Sequence, residues 1–170
     1  KEIWRSLYGE GYSVVPRPLY AHGLVYVCSG FNTASMYAIE PTGKGDVTQS
    51  HVRWEVGKRI PKESTPIIVG DHVYVNDDKG VVSCLDAKSG EQLWQKRIDG
   101  GGGYSTSPVY ASGHLFFHNG DGFTTVIKPG TTFQQVAENK IGEYGLSSFA
   151  VVDDGFVVRT ESSLLRLKKY

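Results

Sequence analysis

Apolar residues in this chain come in bursts of three to six, separated by turn signals, and the bursts return at a regular interval. Residues 66–108 show the unit most clearly. Ile67-Ile68-Val69 is followed by a turn at Gly70-Asp71, then His72 to Asn76, a turn at Asp77-Asp78-Lys79-Gly80, Val81 to Asp86, a turn at Ala87-Lys88-Ser89-Gly90, and Gln92 to Ile98. Short runs rich in Val, Ile, Tyr and Phe, bounded by Gly, Asp and Ser, predict strands. Gly80 stands where a hairpin turn requires positive φ.

The unit recurs. Pro18, Pro66 and Pro108 fall in register, with Ala150 in fourth place, at spacings of 48, 42 and 42. Behind these anchors come LYAHGLVYV, IIVGDHVYV, VYASGHLFF and VVDDGFVVR, with a turn residue five places on at Gly23, Asp71, Gly113 and Gly155. Ile39 to Gly43 answers Leu85 to Gly90, and the third copy keeps only Ile127-Lys128-Pro129-Gly130. Trp54 and Trp94 close the first two copies, and Val136 holds that place in the third. A period in the low forties made of four short strands is the sign of a propeller blade. One small twisted sheet has two apolar faces and buries neither alone, whereas sheets stacked face to face bury both. The expected fold class is all-β: a β-propeller fragment of about four four-stranded antiparallel blades in one domain over residues 1–170, with blades at 18–56, 66–98, 108–140 and 150–168.

The chain ends carry a further expectation. Trp4 precedes Pro18 by the same 14 residues that separate Trp94 from Pro108, so residues 1–6 read as the last strand of a blade. The fourth copy stops after three strands, and the N-terminal strand is expected to complete it, leaving no bare edge inside the ring. Residues 41–51 hold too few apolar side chains to pack and read as an exposed loop. The Gly100–Gly103 run precedes a strand and not a helix, so it reads as a flexible inter-blade loop and not a phosphate cradle.

Composition narrows the function classes. Eighteen basic and eighteen acidic residues cancel, which argues against a nucleic-acid partner. No apolar run approaches the roughly 18 residues needed to cross a bilayer, and the opening KEIWRSLY reads as a strand and not as a signal peptide. Cys28 and Cys84 are expected as separate buried thiols. Histidines 22, 72 and 114 fall at repeated turns. Asp77-Asp78, Asp153-Asp154 and Asn119 to Gly122 are turn sequences, and the tryptophans share one packing position. No catalytic, cofactor-binding or metal-ligating residue is assigned, and no cofactor is expected. The loops at 58–65, 99–107 and 142–148 emerge on one face, beside those at 29–34, 77–80 and 119–122. There Tyr12, Arg17, Lys62, Glu63, Tyr104 and Tyr144 are the groups most able to make directional contacts with a ligand.

The pattern Pro-V-V-x-G-x-x-Y-V followed by L-D-A-x-(S/T)-G-x-x-x-W resembles the pyrroloquinoline-quinone-like propeller repeat, strongly in the first two copies and weakly in the last two. It looks most like the C-terminal half of secreted, planctomycete-type bacterial proteins of that superfamily, which implies a periplasmic or extracytoplasmic location. The resemblance implies a non-enzymatic binding or scaffolding module of the bacterial envelope with a protein partner; separately, an isolated half-ring is expected to expose apolar blade faces through which it can self-associate. The alternative is part of a quinone- and calcium-dependent dehydrogenase. The alcohol enzymes of that branch clamp the quinone with adjacent cysteines, whereas Cys28 and Cys84 lie far apart in this sequence.

Overall fold

The computed structural model describes residues 1–9, 14–30, 32–98 and 100–168, and every helix or strand among them is a strand. The chain opens with β1 (Trp4–Arg5). Blade one is β2 (Leu19–Ala21), β3 (Leu24–Cys28), β4 (Met36–Ile39) and β6 (Val52–Val56), with β5 (Gly45–Asp46) between its last two strands. Blade two is β7 (Ile67–Val69), β8 (His72–Asn76), β9 (Val81–Asp86) and β10 (Gln92–Arg97). Blade three is β11 (Val109–Ala111), β12 (His114–His118), β13 (Phe123–Ile127) and β14 (Gln135–Lys140). The last sheet holds β15 (Ala150–Val152), β16 (Gly155–Arg159) and β17 (Leu164–Lys168). Each of these four sheets is antiparallel with its strands in chain order, and the all-β expectation holds.

Three details differ from the sequence reading. β1 does not complete the last sheet. It pairs in parallel with β5, Trp4 opposite Gly45 and Arg5 opposite Asp46, and Leu7 N–H donates to Thr48 Oγ1 at 2.8 Å. Residues 41–51 are therefore not simply an exposed loop, because Val47 is buried beneath that pairing. The fourth copy also begins one residue early. Ala150 pairs with Val157 as Ile67 pairs with Tyr74, which puts Phe149 and not Ala150 in the place of Pro66. Finally, the bulge in β14 sets Ala137, not Val136, opposite Val126, in the position that Trp94 holds opposite Cys84.

The blades stack through residues of alternate parity. Val73, Val75 and Leu85 of blade two pack with Tyr26, Met36, Ala38 and Trp54 of blade one. On the opposite face Tyr74, Val82 and Cys84 pack with Leu115, Phe117 and Ile127 of blade three. A strand with both faces covered reads as a nearly continuous apolar run, and β8 and β9 do so.

Each Trp adds a directional bond to this packing. Trp54 Nε1 donates to the carbonyl of Ala87 in the next blade at 3.0 Å, and Tyr26 Oη donates to the same oxygen at 3.1 Å. One blade on, Trp94 Nε1 donates to Gly130 O at 2.9 Å, and Tyr74 Oη accepts from Gly130 N–H at 2.9 Å. The receiving turn is preformed by Asp86, whose Oδ1 accepts from the amides of Lys88 and Ser89. Gly90 in that turn has φ +74° and lies against the indole, where an added Cβ would come 2.7 Å from Trp54.

At the third interface Phe116 replaces the tyrosine, Ala137 replaces the tryptophan, and aromatic contacts remain. Phe116 meets Phe156 edge-on at 4.8 Å, and Phe149 lies 4.7 Å from the His118 ring.

A second line of bonds joins the starts of the first strands. Arg17 N–H donates to Thr65 Oγ1 at 3.0 Å, Thr65 N–H to Ser107 Oγ at 2.9 Å, and Ser107 N–H to Ser148 Oγ at 2.9 Å. In each case the residue just before the anchor reaches its counterpart one blade on.

Two predictions follow from this packing. Trp54→Ala or Trp94→Ala lowers unfolding free energy by about 3–5 kcal/mol, and Trp54→Phe by about 1 kcal/mol because Tyr26 still satisfies Ala87, as read from urea denaturation. Burial pushes the Cys28 thiol from 9.0 up to about 12 and the Cys84 thiol up to about 11. Exposed thiols ionise more easily than these, so stability that is complete below pH 9 falls as pH rises through the folded values. Unfolding midpoints measured from pH 8 upward should decline, and should decline less in Cys28→Ala.

Candidate functional site

The loops that leave one face of the arc are held by a repeated device, a hairpin side chain that fastens the neighbouring inter-blade loop. In blade two this is Asp77, whose Oδ1 accepts from the amides of Lys79 and Val81 and whose Oδ2 accepts from Arg59 Nη1 at 3.0 Å. Asp78 Oδ1 accepts from Lys62 N–H at 3.2 Å, with Lys62 Nζ 3.8 Å from its other oxygen. Arg59 adopts φ +58°, a strained conformation for a long side chain. In blade three the device is Asn119, fully buried, which donates to Gly100 O at 3.0 Å and Gly101 O at 2.7 Å while its Oδ1 accepts from Phe123 N–H. In the last sheet the roles are reversed: Glu143 of the inter-blade loop accepts from Thr160 and Ser162 of the hairpin, and its carboxyl is held below the usual carboxylate range by those bonds.

The glycine run is an inter-blade loop, as expected, and these hydrogen bonds tie it to the blade-three hairpin. Gly101 and Gly102 both have φ +62°, and a Cβ on Gly102 would fall 2.8 Å from the Asp121 carboxylate. Gly120 N–H closes the loop on Gly103 O at 2.8 Å.

Between the loops of blades one and two lies an open cleft of about 590 Å³, lined by Asn32, Thr33, Lys58, Arg59, Lys62, Asp77, Asp78 and Lys79, with Gln92 and Gln95. A smaller cleft of about 360 Å³ adjoins it beside Arg97, Gly100 to Gly102 and Tyr104. Four cations face two carboxylates in the larger one, and both carboxylates already accept from Arg59 or from backbone amides.

Of the five described residues expected to face a ligand, only Lys62 lines the larger cleft, and Tyr104 borders the smaller one. Glu63 is exposed on the same loop. Tyr104 is buried, its ring under Gly80 and its N–H donating to Asp78 O at 3.2 Å, so it is a wedge beneath the loops. Tyr144 is half exposed and lies over Gly120, and exposed Arg17 contributes its backbone to the hydroxyl chain. Tyr12 lies outside the described residues. Arg59 and Lys79 fall in the loops at 58–65 and 77–80 expected on this face but were not singled out. Asp77 and Asp78 did carry one, as turn residues, and that role coincides with fastening the loop.

Residues 1–139 match the family model described as outer membrane protein assembly factor BamB. The chain belongs to this family, a branch of the pyrroloquinoline-quinone-like propellers. Solved structures agree on the fold. The BamB of Moraxella catarrhalis matches with TM-score 0.65 at 13% identity, over 86% of this chain and 40% of that one. The computationally designed Ika4 protein matches with TM-score 0.72 at 9% identity, over 99% of this chain and 98% of that one. A europium-containing methanol dehydrogenase matches with TM-score 0.60 at 16% identity, over 72% of this chain and 24% of that one. This chain thus spans about two fifths of the BamB structure and a quarter of the dehydrogenase. A search of curated protein sequences finds no match.

The match ends within β14, before the last sheet, although the tyrosine and tryptophan of the repeat have already given way to Phe116 and Ala137 in blade three. A calcium-bound quinone does not fit this cleft. Such a group needs free carboxylates converging on the metal, and Asp77 and Asp78 are turned to amides and to Arg59. Among the described residues no cluster of three His, Cys, Asp or Glu is placed to hold a metal ion.

Asn119→Ala leaves Gly100 O, Gly101 O and Phe123 N–H unpartnered at about 1–3 kcal/mol. Amide exchange should accelerate at residues 100–104 while residues 57–65, held by Asp77 and Asp78, keep their protection.

Proposed function

We propose that the chain is a non-enzymatic binding or scaffolding module of the bacterial envelope, and that the cleft between blades one and two receives an acidic segment of a protein partner. The observation that carries this reading is the charge arrangement on a fixed frame. Asp77 and Asp78 are consumed in fastening the loop, while Lys58 and Lys79 line the cleft without a carboxylate partner among the described residues. Loops tied down in this way lose little entropy on binding, and exposed cations on them steer an acidic segment toward the cleft. Gln92 and Gln95 offer amides along one wall to an extended backbone. The description of the family, an outer membrane assembly factor, supports an extracytoplasmic place and a protein partner. No helix among the described residues is long and apolar enough to cross a membrane.

The dehydrogenase alternative draws support only from fold likeness at 16% identity, and the cleft chemistry disfavours it. Supplying pyrroloquinoline quinone with calcium and following dye reduction separates the two readings. No turnover is expected, and turnover that needs both additions would establish the alternative. For the binding reading, an oligoglutamate peptide titrated at low salt should bind and should release as salt rises. Lys58→Glu with Lys79→Glu should weaken it by about tenfold, equivalent to 1.4 kcal/mol. Equal affinity in that variant would remove the cleft as the site.

A further inference from the structure

Asp78 and Lys79 wall both clefts, so the two lie on either side of one hairpin tip, and a segment leaving the larger cleft over Lys79 enters the smaller one. We propose that the smaller cleft is a second carboxylate site for the same acidic segment, where Arg97 and the backbone amides of Gly101 and Gly102 bind one Asp or Glu side chain of the partner. This rests on the binding role proposed for the larger cleft and extends it.

The amides are aimed by Asn119. Its Nδ2 donates to both Gly100 O and Gly101 O, and in a trans peptide the N–H lies opposite the C=O, so the N–H groups of Gly101 and Gly102 point away from Asn119. The glycines line the smaller cleft and Asn119 does not. The two amides therefore face the cleft side by side, and neither has a partner among the described residues. Successive N–H groups turned to one side form a concavity that takes an anion, and φ +62° at both residues, a conformation glycine adopts readily, produces that turn. Asp121 packs against the same glycines from the blade-three hairpin, and it does not line the cleft. No helix follows the run, since the next element is β11. The positive charge comes from side chains instead.

Arg97 ends β10, is exposed, and donates from Nη1 to Lys79 O at 2.7 Å. That bond fixes one nitrogen of the guanidinium at the rim, while the remaining N–H groups have no partner among the described residues. A guanidinium held in this way presents its planar fork to a carboxylate. Asp78 is the carboxylate in the lining, and its Oδ1 already accepts from Lys62 N–H. The lining thus sets two cations, Lys79 and Arg97, and two open amides around a cleft whose own carboxylate is engaged.

Octaglutamate titrated at low salt and followed by amide NMR should shift the signals of Gly101 and Gly102 together with those of residues 57–62. Arg97→Gln should weaken the peptide about tenfold and erase the shifts at Gly101 and Gly102 while leaving those at 57–62. Lys96→Gln removes the same charge one residue away, on a side chain that lines neither cleft, and should leave the affinity as it was. Both side chains are exposed, so neither change threatens the fold. Shifts confined to residues 57–62 would overturn the second site and leave the larger cleft as the site of binding. Equal weakening by Lys96→Gln, or glycine shifts that persist in Arg97→Gln, would also overturn it. Silence at both loops would remove this site together with the reading it extends.

Discussion

The structure depends on one contact made twice: an indole N–H of one blade donating to a turn carbonyl of the next. Trp54 reaches Ala87 O and Trp94 reaches Gly130 O, each joined by a tyrosine hydroxyl on the same turn. A stack of small sheets held by apolar contact alone could slide, because burial is non-directional. A bond from a buried ring to a preformed turn fixes both the rotation and the height of each blade on the next. The Leu-Asp-Ala-x-Ser-Gly and Trp elements of the repeat are thus two sides of one joint. The Asp shapes the turn, the Gly leaves room for the ring, and the Trp of the preceding blade occupies it.

Where the joint decays, so does the repeat. With Ala137 and Phe116 in place of tryptophan and tyrosine, blade three meets the last sheet through edge-on and tilted aromatic rings, and β14 is exposed along its length. The hydroxyl chain from Thr65 through Ser107 to Ser148 continues across that weaker interface, so the starts of the first strands keep their spacing after the outer contacts thin out. Rigidity therefore concentrates around blades one to three. The inter-blade loops that border the two clefts spring from there, the first fastened by Asp77 and Asp78 and the second by Asn119.

That fastening explains why polar and charged residues on the loop face divide into two kinds. Asp77, Asp78, Asn119 and Glu143 satisfy loop amides, carbonyls and hydroxyls, and their chemistry is spent inside the fold. Lys58 and Lys79 do no such work, which is why the cleft keeps a positive excess in a chain whose total charge is zero.

Strand order, blade number and the packing role of Trp54 and Trp94 were determined by the sequence, because period-2 apolar runs, turn residues and a repeat of about 42 are local or periodic signals. Placement of side chains on the loop face was not legible in the same way. Tyr104 and Lys62 look equally able to meet a ligand in the sequence, and only the approach of Gly80 buries the first while the second remains in the cleft. The register of the last sheet, the bulge that brings Ala137 opposite Val126, and the partner of β1 belonged to tertiary structure as well. A one-residue shift leaves composition and period almost unchanged, and strand pairing depends on which edge is reachable in space, which no local pattern encodes.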